Sequence, residues 1–281
     1  MKMFYCVLAT LLIVMTSACS NNSSTNTGGT TGGGDTGGGT DGANAIMADH
    51  SVIEALNLIP TEYLNAVYAN LKIYYGHTSH GSQLMTGLDL LDDAKFDRDA
   101  LSIEEEYGDL GTDGDLSWAQ TTRARLNQPG SAINVVIWSW CGGVSDNNTA
   151  GIDAYLNEMN ELEGEYPNVS FVYMTGHTDG TGANGTLRTM NARIRDWCRT
   201  HDKILYDFED IESWNPNGTY YPDASDACEW CSTWCASNTC GPYSISCTND
   251  SDCAHSHCFN CYNKGKAFWW LLARIAGWNG S

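Results

Sequence analysis

The sequence is poor in basic residues and has no apolar segment long enough to cross a bilayer. Lys and Arg number 14 against 34 Asp and Glu, which gives a net charge of −20. A nucleic-acid-binding protein needs a basic surface, so this charge balance excludes that class. With 42% hydrophobic and 11% aromatic residues, the chain is too apolar to be a disordered acidic protein. Its 281 residues are enough for one large domain with its own core.

The N-terminal residues resemble the signal of bacterial lipoproteins. Lys2 precedes an apolar run at 4–15, which is too short to span a membrane comfortably. Small residues at 16–18 then precede Cys19. In the lipobox that this pattern resembles, the peptide is cut before the cysteine, and the cysteine carries lipid. The resemblance implies a signal peptide at 1–18 and lipidation of Cys19; an ordinary secretory signal cut nearby is the alternative.

The chain divides into an anchor, a linker and one domain. Residues 19–44 begin with the predicted lipidated cysteine and continue as a Gly-, Thr- and Ser-rich stretch that cannot form a core. Residues 45–281 hold the predicted domain, with a cysteine-rich insertion at 228–261. We therefore expect an exported monomer that contacts a bacterial outer membrane or cell surface only through its lipid.

Strand and helix patterns alternate along the domain. Apolar residues at helical spacing predict helices, and continuous β-branched runs predict strands buried on both faces. Helices are predicted at 60–71, 82–91, 117–126, 152–162, 187–197 and 266–278, and strands at 71–76, 133–140, 169–176 and 203–208. Residues 92–116 are acidic and ambiguous. The alternation predicts a three-layer α/β/α sandwich with a parallel, flavodoxin-like sheet, in which ligands bind beyond the carboxyl ends of the strands.

Five of the seven histidines follow predicted strands or precede the last helix. They are His77, His80, His177, His255 and His257. Histidine transfers protons readily near neutral pH, so this placement indicates chemistry at the strand ends.

Ser79 is the candidate nucleophile, because it lies on a Gly- and His-rich turn after the first predicted strand. A serine nucleophile needs a base, and the base needs an orienting carboxylate. Asp252 and His255, spaced D-x-x-H, can present both side chains from one short turn before the last helix.

These residues resemble the SGNH (GDSL-like) hydrolases, in a divergent form where H-x-S-x-G replaces G-D-S. The segment H-T-S-H-G at 77–81 and the D-x-x-H motif carry the resemblance, which spans most of residues 66–278. It implies a flavodoxin-like sandwich in which Ser79 attacks, His255 takes and returns the proton, and Asp252 orients His255.

One block departs from that family. The G-x-N-D block, which supplies an oxyanion asparagine, is replaced by CGGVSDNN at 141–148. Other candidates for oxyanion or substrate binding are Asn147 or Asn148, the backbone N–H groups of Ser79, Gly114 and Gly142, and the side chains of His77 and His177. Losing one oxyanion donor costs about 100- to 1,000-fold in rate, so a domain without turnover is an alternative prediction.

Two other motifs compete with this interpretation. His77 and His80, together with His177 and either His255 or His257, could ligate zinc, which needs three protein ligands and one open position. No H-E-x-x-H is present, and we predict neither a metal nor a cofactor. GTGANG at 180–185 matches the dinucleotide pattern G-x-G-x-x-G, but the preceding GHTD lengthens the turn, so we interpret it as a strand-to-helix loop.

The cysteines beyond the signal region number ten and indicate a disulfide framework in an exported chain. They are Cys141, Cys198, Cys228, Cys231, Cys235, Cys240, Cys247, Cys253, Cys258 and Cys261. Their connectivity cannot be deduced from spacing. The pairs Cys228-x-x-Cys231 and Cys258-x-x-Cys261 leave open a zinc or cluster site. Because the insertion encloses the D-x-x-H motif, we hypothesise that disulfides hold His255 over Ser79.

The function expected from these features is that of an exported serine esterase. Tryptophans in polar loops, such as Trp214, Trp230 and Trp234, favour an acyl group on carbohydrate as the substrate. The alternatives are a carbohydrate-binding module without catalysis on the same fold, and a histidine-ligated metal-dependent hydrolase.

Overall fold

A computed structural model describes residues 44–241 and 253–280. Within them, six parallel strands form one sheet in the order β1-β6-β5-β4-β2-β3. The strands are β1 (Ile46–Ala48), β2 (Ile73–His77), β3 (Ile103–Tyr107), β4 (Val135–Trp138), β5 (Ser170–Met174) and β6 (Ile204–Tyr206). This sheet, flanked by helices, confirms the predicted α/β fold class. Cys19, the predicted signal peptide and almost all of the linker lie outside the described residues, as do Cys247 and Asp252.

The helices form two groups that pack against the sheet. A 3-10 helix (His50–Leu58), α1 (Thr61–Asn70) and α2 (Ser82–Leu91) all contact α8 (Cys258–Ile275). On the other side, α3 (Ser117–Leu126) contacts α4 (Thr149–Glu165), and α4 contacts α5 (Thr186–Thr200). Two short helices, α6 (Phe208–Ser213) and α7 (Glu229–Cys235), complete the described segments. Nowhere in those segments does a helix have both the length and the apolarity to cross a membrane.

The central strands are buried on both faces. All four residues of β4 are buried, as are four of the five residues of β5, which explains their continuous apolar sequences. β3 is the exception, because it is an edge strand with the polar sequence IEEEY. Glutamate is depleted in strands, so the acidic segment 92–116 shows no strand pattern although it contains β3.

The order of the strands places a topological switch between β2 and β4. From β2 the chain moves outward to β3, and it then returns to β4 on the other side of β2. In open parallel sheets the crevice at such a switch, beyond the carboxyl ends of the strands, is the usual place for a ligand. The segments after His77 and Trp138 border this crevice.

Helices α2 and α8 cross in backbone contact through two glycines. A Cβ placed on Gly87 would lie 2.1 Å from the carbonyl oxygen of Cys261 and 2.6 Å from the backbone nitrogen of Gly265. A Cβ on Gly265 would lie 2.3 Å from the carbonyl oxygen of Gly87. All three distances are shorter than van der Waals contact, so only glycine permits this crossing.

Three disulfides of the cysteine-rich insertion join near neighbours in sequence. They are Cys228–Cys231, Cys235–Cys240 and Cys253–Cys261. Cys141 and Cys258 each also take part in a disulfide. Cys228 and Cys231, whose C-x-x-C spacing left a metal site open, therefore form a disulfide and are not metal ligands. Cys198 departs from the predicted framework, because it is a free thiol on the buried face of α5. In that position it acts as a small apolar side chain.

Replacing Gly87 with alanine should destabilise the fold. The added methyl group must push α2 away from α8, at a cost of about 1–3 kcal/mol in the free energy of unfolding. Gly164→Ala is the matched control, since Gly164 is an exposed residue of α4 with nothing within 4 Å of its Cβ position. That variant should be more stable than the parent by about 0.5–1 kcal/mol. Urea unfolding followed by circular dichroism measures both, and equal effects would contradict the proposed contact.

Candidate active site

Ser79 lies at the mouth of the switch crevice. It follows β2 directly, and its backbone carbonyl accepts hydrogen bonds from the Ser82 hydroxyl at 2.6 Å and the Ser82 N–H at 3.2 Å. These bonds form the turn that opens α2. The Ser79 Oγ lies 3.5 Å from Sγ of the disulfide-bonded Cys141, which follows β4 across the crevice. The hydroxyl makes no hydrogen bond to a histidine within the described residues.

Three histidines from three separate loops stack beside Ser79. The ring of His80 lies parallel to that of His177, with centroids 3.7 Å apart and an interplanar angle of 1°. On the other side of His80, His255 stacks at 4.5 Å and 19°. His80 and His177 are buried, whereas His255 is exposed. His80 directly follows Ser79 in the chain and stacks on His255, so the structure brings the turn of Ser79 and the turn of the D-x-x-H histidine together.

Asp226 anchors the central histidine of this stack. Its Oδ2 lies 3.0 Å from Nε2 of His80. A carboxylate accepts a hydrogen bond and cannot donate one, so Nε2 of His80 carries the proton and Nδ1 is unprotonated. Burial, together with the neighbouring histidines, lowers the pKa of His80 to about 4 although Asp226 opposes this shift. Burial alone would raise the pKa of Asp226, but the hydrogen bond from His80 and the nearby imidazoles lower it. A neutral imidazole and a carboxylate therefore meet at the centre of the stack.

The outer two histidines are held by their own loops. His177 accepts a hydrogen bond from the Gly142 N–H at Nε2, at 3.3 Å, and donates from Nδ1 to the carbonyl of Thr178, at 2.8 Å. His255 lies in a tight turn with φ of 63°, a left-handed conformation that few residues other than glycine adopt. The turn is closed by the Ser256 N–H bonding to the Cys253 carbonyl at 2.8 Å.

A buried polar network connects these loops beneath the surface. Lys264 of α8 is fully buried and donates from Nζ to Gln83 Oε1 and, at 2.5 Å, to Glu212 Oε1. Gln83 in turn donates to the carbonyl of Ala254, next to His255, at 2.5 Å. The other oxygen of Glu212 accepts the N–H and hydroxyl of Thr178 at 2.7 and 2.9 Å. One ion pair thus fixes the loop of His255 and the loop of His177.

The stacked geometry argues against one metal ion bound by His80 and His177. Donor atoms of His80, His177 and Asp226 lie within 4.8 Å of one another, a spacing compatible with a metal. A zinc–nitrogen bond is about 2.0–2.1 Å long and lies near the plane of the imidazole. One ion cannot lie in two parallel ring planes whose centroids are 3.7 Å apart unless a ring rotates. His77 and His257 lie elsewhere, since His77 bonds Glu105 and His257 caps α8.

Other sequence candidates have structural partners of their own. The side-chain amide of Asn147 donates to the carbonyls of Gly111 and Gly143, and Asn148 caps α4. Gly114 has φ of 78° and packs beside α4. The N–H of Gly142 is directed at His177, as described above. The backbone N–H groups of Ser79 and Gly114 differ from the other donors, because they make no hydrogen bond to any described residue.

Sequence reasoning missed Asp226 and the pair Lys264–Glu212. Asp226 is one of 34 acidic residues and belongs to no motif, so only its contact with His80 identifies it. Lys264 carried a weak signal, because it is a charged residue at the start of the apolar segment that predicts the last helix. That helix begins at Cys258, eight residues before the predicted start, and so encloses Lys264.

Comparison with known proteins adds no assignment. The sequence matches no protein-family model and no curated protein.

The neutral state of His80 should make stability depend on pH. Below the ordinary histidine pKa of 6.5, the unfolded chain binds a proton at this position that the folded protein excludes until about pH 4. Stability is therefore complete above pH 6.5 and should fall by roughly 3 kcal/mol as the pH drops to 4. Urea unfolding at a series of pH values measures this slope.

His80→Gln should flatten the profile in that window, because glutamine does not titrate. His201→Gln is the matched control, since His201 is exposed at the end of α5. A His80→Gln profile as steep as that of the parent would contradict the assigned neutral state.

Proposed function

We propose that the protein is a serine hydrolase that cleaves esters, with Ser79 as nucleophile and His255 as base. The observation that carries the proposal is the position of Ser79 at the topological switch, directly beside a stack of histidines that ends in exposed His255. In this mechanism Ser79 Oγ attacks the ester carbonyl while His255 takes its proton. His255 then returns the proton to the departing alcohol, and water hydrolyses the acyl enzyme in the same way.

His80 is less suited to act as the base, although among the three stacked histidines it is the one with a carboxylate partner in the described residues. A general base works best when its pKa lies near the operating pH, and the pKa of His80 is lowered to about 4. We assign to His80 and Asp226 a supporting role. A neutral His80 does not repel the imidazolium that forms at His255, and the negative charge of Asp226 stabilises it. Asp252, which would orient His255, lies outside the described residues.

The proposed donor to the oxyanion is the backbone N–H of Ser79. Asn147 and Gly142 use their donors inside the protein, whereas the N–H of Ser79 is free to meet the developing charge. Because the side-chain amide of Asn147 donates to two backbone carbonyls, it does not offer a donor to an oxyanion. This observation favours the alternative function, a binding module without turnover. A fluorophosphonate probe separates the two, since a hydrolase is labelled at Ser79 and a binding module is not labelled.

The proposed substrate is an ester, with acylated carbohydrate as the first class to test. We also propose that the domain works outside the cytoplasm, tethered through lipid at Cys19, as a monomer. The net charge of the whole chain, −20, favours solubility and disfavours nucleic acid as a partner.

Ser79→Ala should abolish ester cleavage while leaving the fold intact. We expect kcat/KM for p-nitrophenyl acetate to fall by roughly 1,000-fold or more, because the nucleophile is lost. Ser232→Ala is the control, since Ser232 is an exposed serine of α7. A Ser79→Ala protein that hydrolyses acyl esters as well as the parent would show that the nucleophile is a different residue.

Removing the disulfide Cys253–Cys261 should lower activity without unfolding the protein. Cys253–Cys261 closes the turn that presents His255, so replacing both cysteines with alanine should reduce kcat/KM by at least about 10-fold through lost positioning. Far-UV circular dichroism should remain that of the parent. The matched control replaces Cys235 and Cys240, whose disulfide is not part of that turn. Equal activity of the two double variants would exclude a role of the first disulfide in positioning His255.

A further inference from the structure

The loops around the Ser79 crevice contain no lysine and no arginine. The described segments that follow the strands at this edge of the sheet, together with the turn before α8, are residues 78–81, 108–116, 139–148, 175–185, 214–228 and 253–257. None of the 14 Lys and Arg residues of the chain lies in any of them. Within these segments a protonated histidine is therefore the only side chain that can carry positive charge.

The same segments concentrate carboxylates. Besides Asp226 they contain Asp109, Asp113, Asp115, Asp146, Asp179 and Asp223. None of these carboxylates forms an ion pair with a lysine or arginine in the described part of the chain. The negative charge reaches the crevice itself, because Oδ2 of Asp146 lies 3.8 Å from the Cβ position of Gly142, whose N–H bonds His177.

These acids are too far apart to form a metal site together. Among the described residues, two groups of side chains have donor atoms close enough to share one ion, and of the acids in these segments only Asp226 belongs to a group. Carboxylates that surround a cleft without counter-ions act through their summed field. They raise the local concentration of cations and lower that of anions.

The basic side chains nearest to these loops have partners that cancel their charge. Arg188, in the first turn of α5, pairs with Glu209 at 2.7 Å, and Lys266 of α8 pairs with Glu54 at 3.4 Å. Lys264 is buried against its own carboxylate, as described above. The lysines that directly precede β2 and β6 lie at the opposite edge of the sheet. The field at the crevice is therefore negative.

An exposed aromatic ring at the same edge favours the same charge. Tyr107 ends the edge strand β3, is 79% exposed, and pairs in register with His77, two residues before Ser79. The face of an aromatic ring carries partial negative charge and attracts cations. Tyr107 therefore offers a contact surface for a positively charged group one strand away from the strand that leads to the nucleophile.

We propose that the Ser79 crevice selects esters that carry a positive charge, as an ammonium group on the alcohol or the acyl part, and excludes anionic esters. The inference rests on the proposed esterase function and narrows its substrate class. Esters of quaternary ammonium alcohols and esters of amino sugars share this chemistry.

The test compares esters of similar shape and different charge on the full chain, with acid release followed in a pH-stat at neutral pH. Acetylcholine is the cation, neohexyl acetate is its uncharged carbon isostere, and the acetyl ester of isethionate is the anion. At an ionic strength of about 0.01 M, kcat/KM for acetylcholine should exceed that for neohexyl acetate by at least about tenfold, and the anion should be the poorest substrate. At about 1 M, where charges are screened within about 3 Å, the first ratio should fall below about threefold.

A second pair of substrates, the primary acetyl esters of glucosamine and glucose, identifies the source of the ammonium group. A preference for the glucosamine ester as well as for acetylcholine points to amino sugars. A preference within the first pair alone points to quaternary ammonium alcohols.

Reversing two charges at the crevice should weaken the preference. Asp146 and Asp223 are exposed and make no side-chain hydrogen bond to a described residue, so Asp146→Lys combined with Asp223→Lys should lower the ratio at low salt by about fivefold. The matched control combines Asp99→Lys and Glu161→Lys, at exposed positions before β3 and in the second half of α4. It changes the net charge equally and should leave the ratio unchanged.

Three results would overturn the inference: equal kcat/KM for acetylcholine and neohexyl acetate at low salt, a ratio that salt does not change, or an equal loss in the two double variants.

Cationic and anionic nitroxides test the same charge preference without turnover. In NMR spectra of the full chain, the cationic nitroxide should enhance the relaxation of the backbone N–H protons of Ser79 and Gly114 at least about threefold more than the anionic one. That result without cleavage of any ester would refute the esterase and support the charge preference. Equal enhancement by the two nitroxides would refute the charge preference, whatever the esterase assay shows.

Discussion

The buried ion pair between Lys264 and Glu212 is the interaction on which the arrangement of the crevice depends. Both side chains are almost completely excluded from water, at 0% and 1% exposure. Removing charges from water is expensive, and burial lowers the pKa of Lys264 although Glu212 opposes this shift. Hydrogen bonds to the remaining polar atoms of the pair offset this desolvation cost. Gln83 bonds Lys264, and Thr178 bonds Glu212, which ties the pair to the loops of His255 and His177. A pair of this kind contributes specificity of geometry more than net stability.

The same helix that carries Lys264 also determines how closely the site can be assembled. Gly265 is the next residue, and its lack of a side chain lets α8 approach α2 at Gly87. Since α2 begins in the turn of Ser79, and α8 begins just after the turn of His255, their close crossing draws the two turns together. The disulfide Cys253–Cys261 adds a covalent link between the second turn and α8.

The three stacked histidines, His80, His177 and His255, differ in burial and in hydrogen bonding. Burial keeps His80 neutral, Gly142 and Thr178 hold His177 in one tautomer, and of the three only His255 is exposed to solvent. Stacked imidazoles that were all charged would repel one another, and burial avoids this by keeping the central ring neutral beside Asp226. His50, which follows β1 at the opposite edge of the sheet, shows the reverse effect, because Asp210 and Asp49 raise its pKa although burial opposes this shift.

The fold was largely predictable, and its exceptions have physical reasons. Apolar periodicity located α2 and α3 to the residue and placed β4, β5 and α5 closely, because buried segments must be continuously or periodically apolar. The edge strand β3 escaped prediction, since one side of it faces solvent and its three glutamates resemble a loop. The short β1, α6 and α7 escaped because segments of three to seven residues carry too little periodicity.

For the site, sequence alone determined which histidines follow strands, and parallel topology then requires those strand ends to share one edge. It also indicated Ser79 and His255 as a pair. Only the tertiary structure decided that His80 stacks on both His177 and His255, that Asp226 is its partner, that Cys198 is unpaired, and that the side-chain amide of Asn147 donates to backbone carbonyls. These contacts join residues far apart in the chain, such as His80 and Asp226 at a separation of 146. Local spacing carries no information about such contacts, because they are set by the way the packed helices and the sheet bring distant loops together.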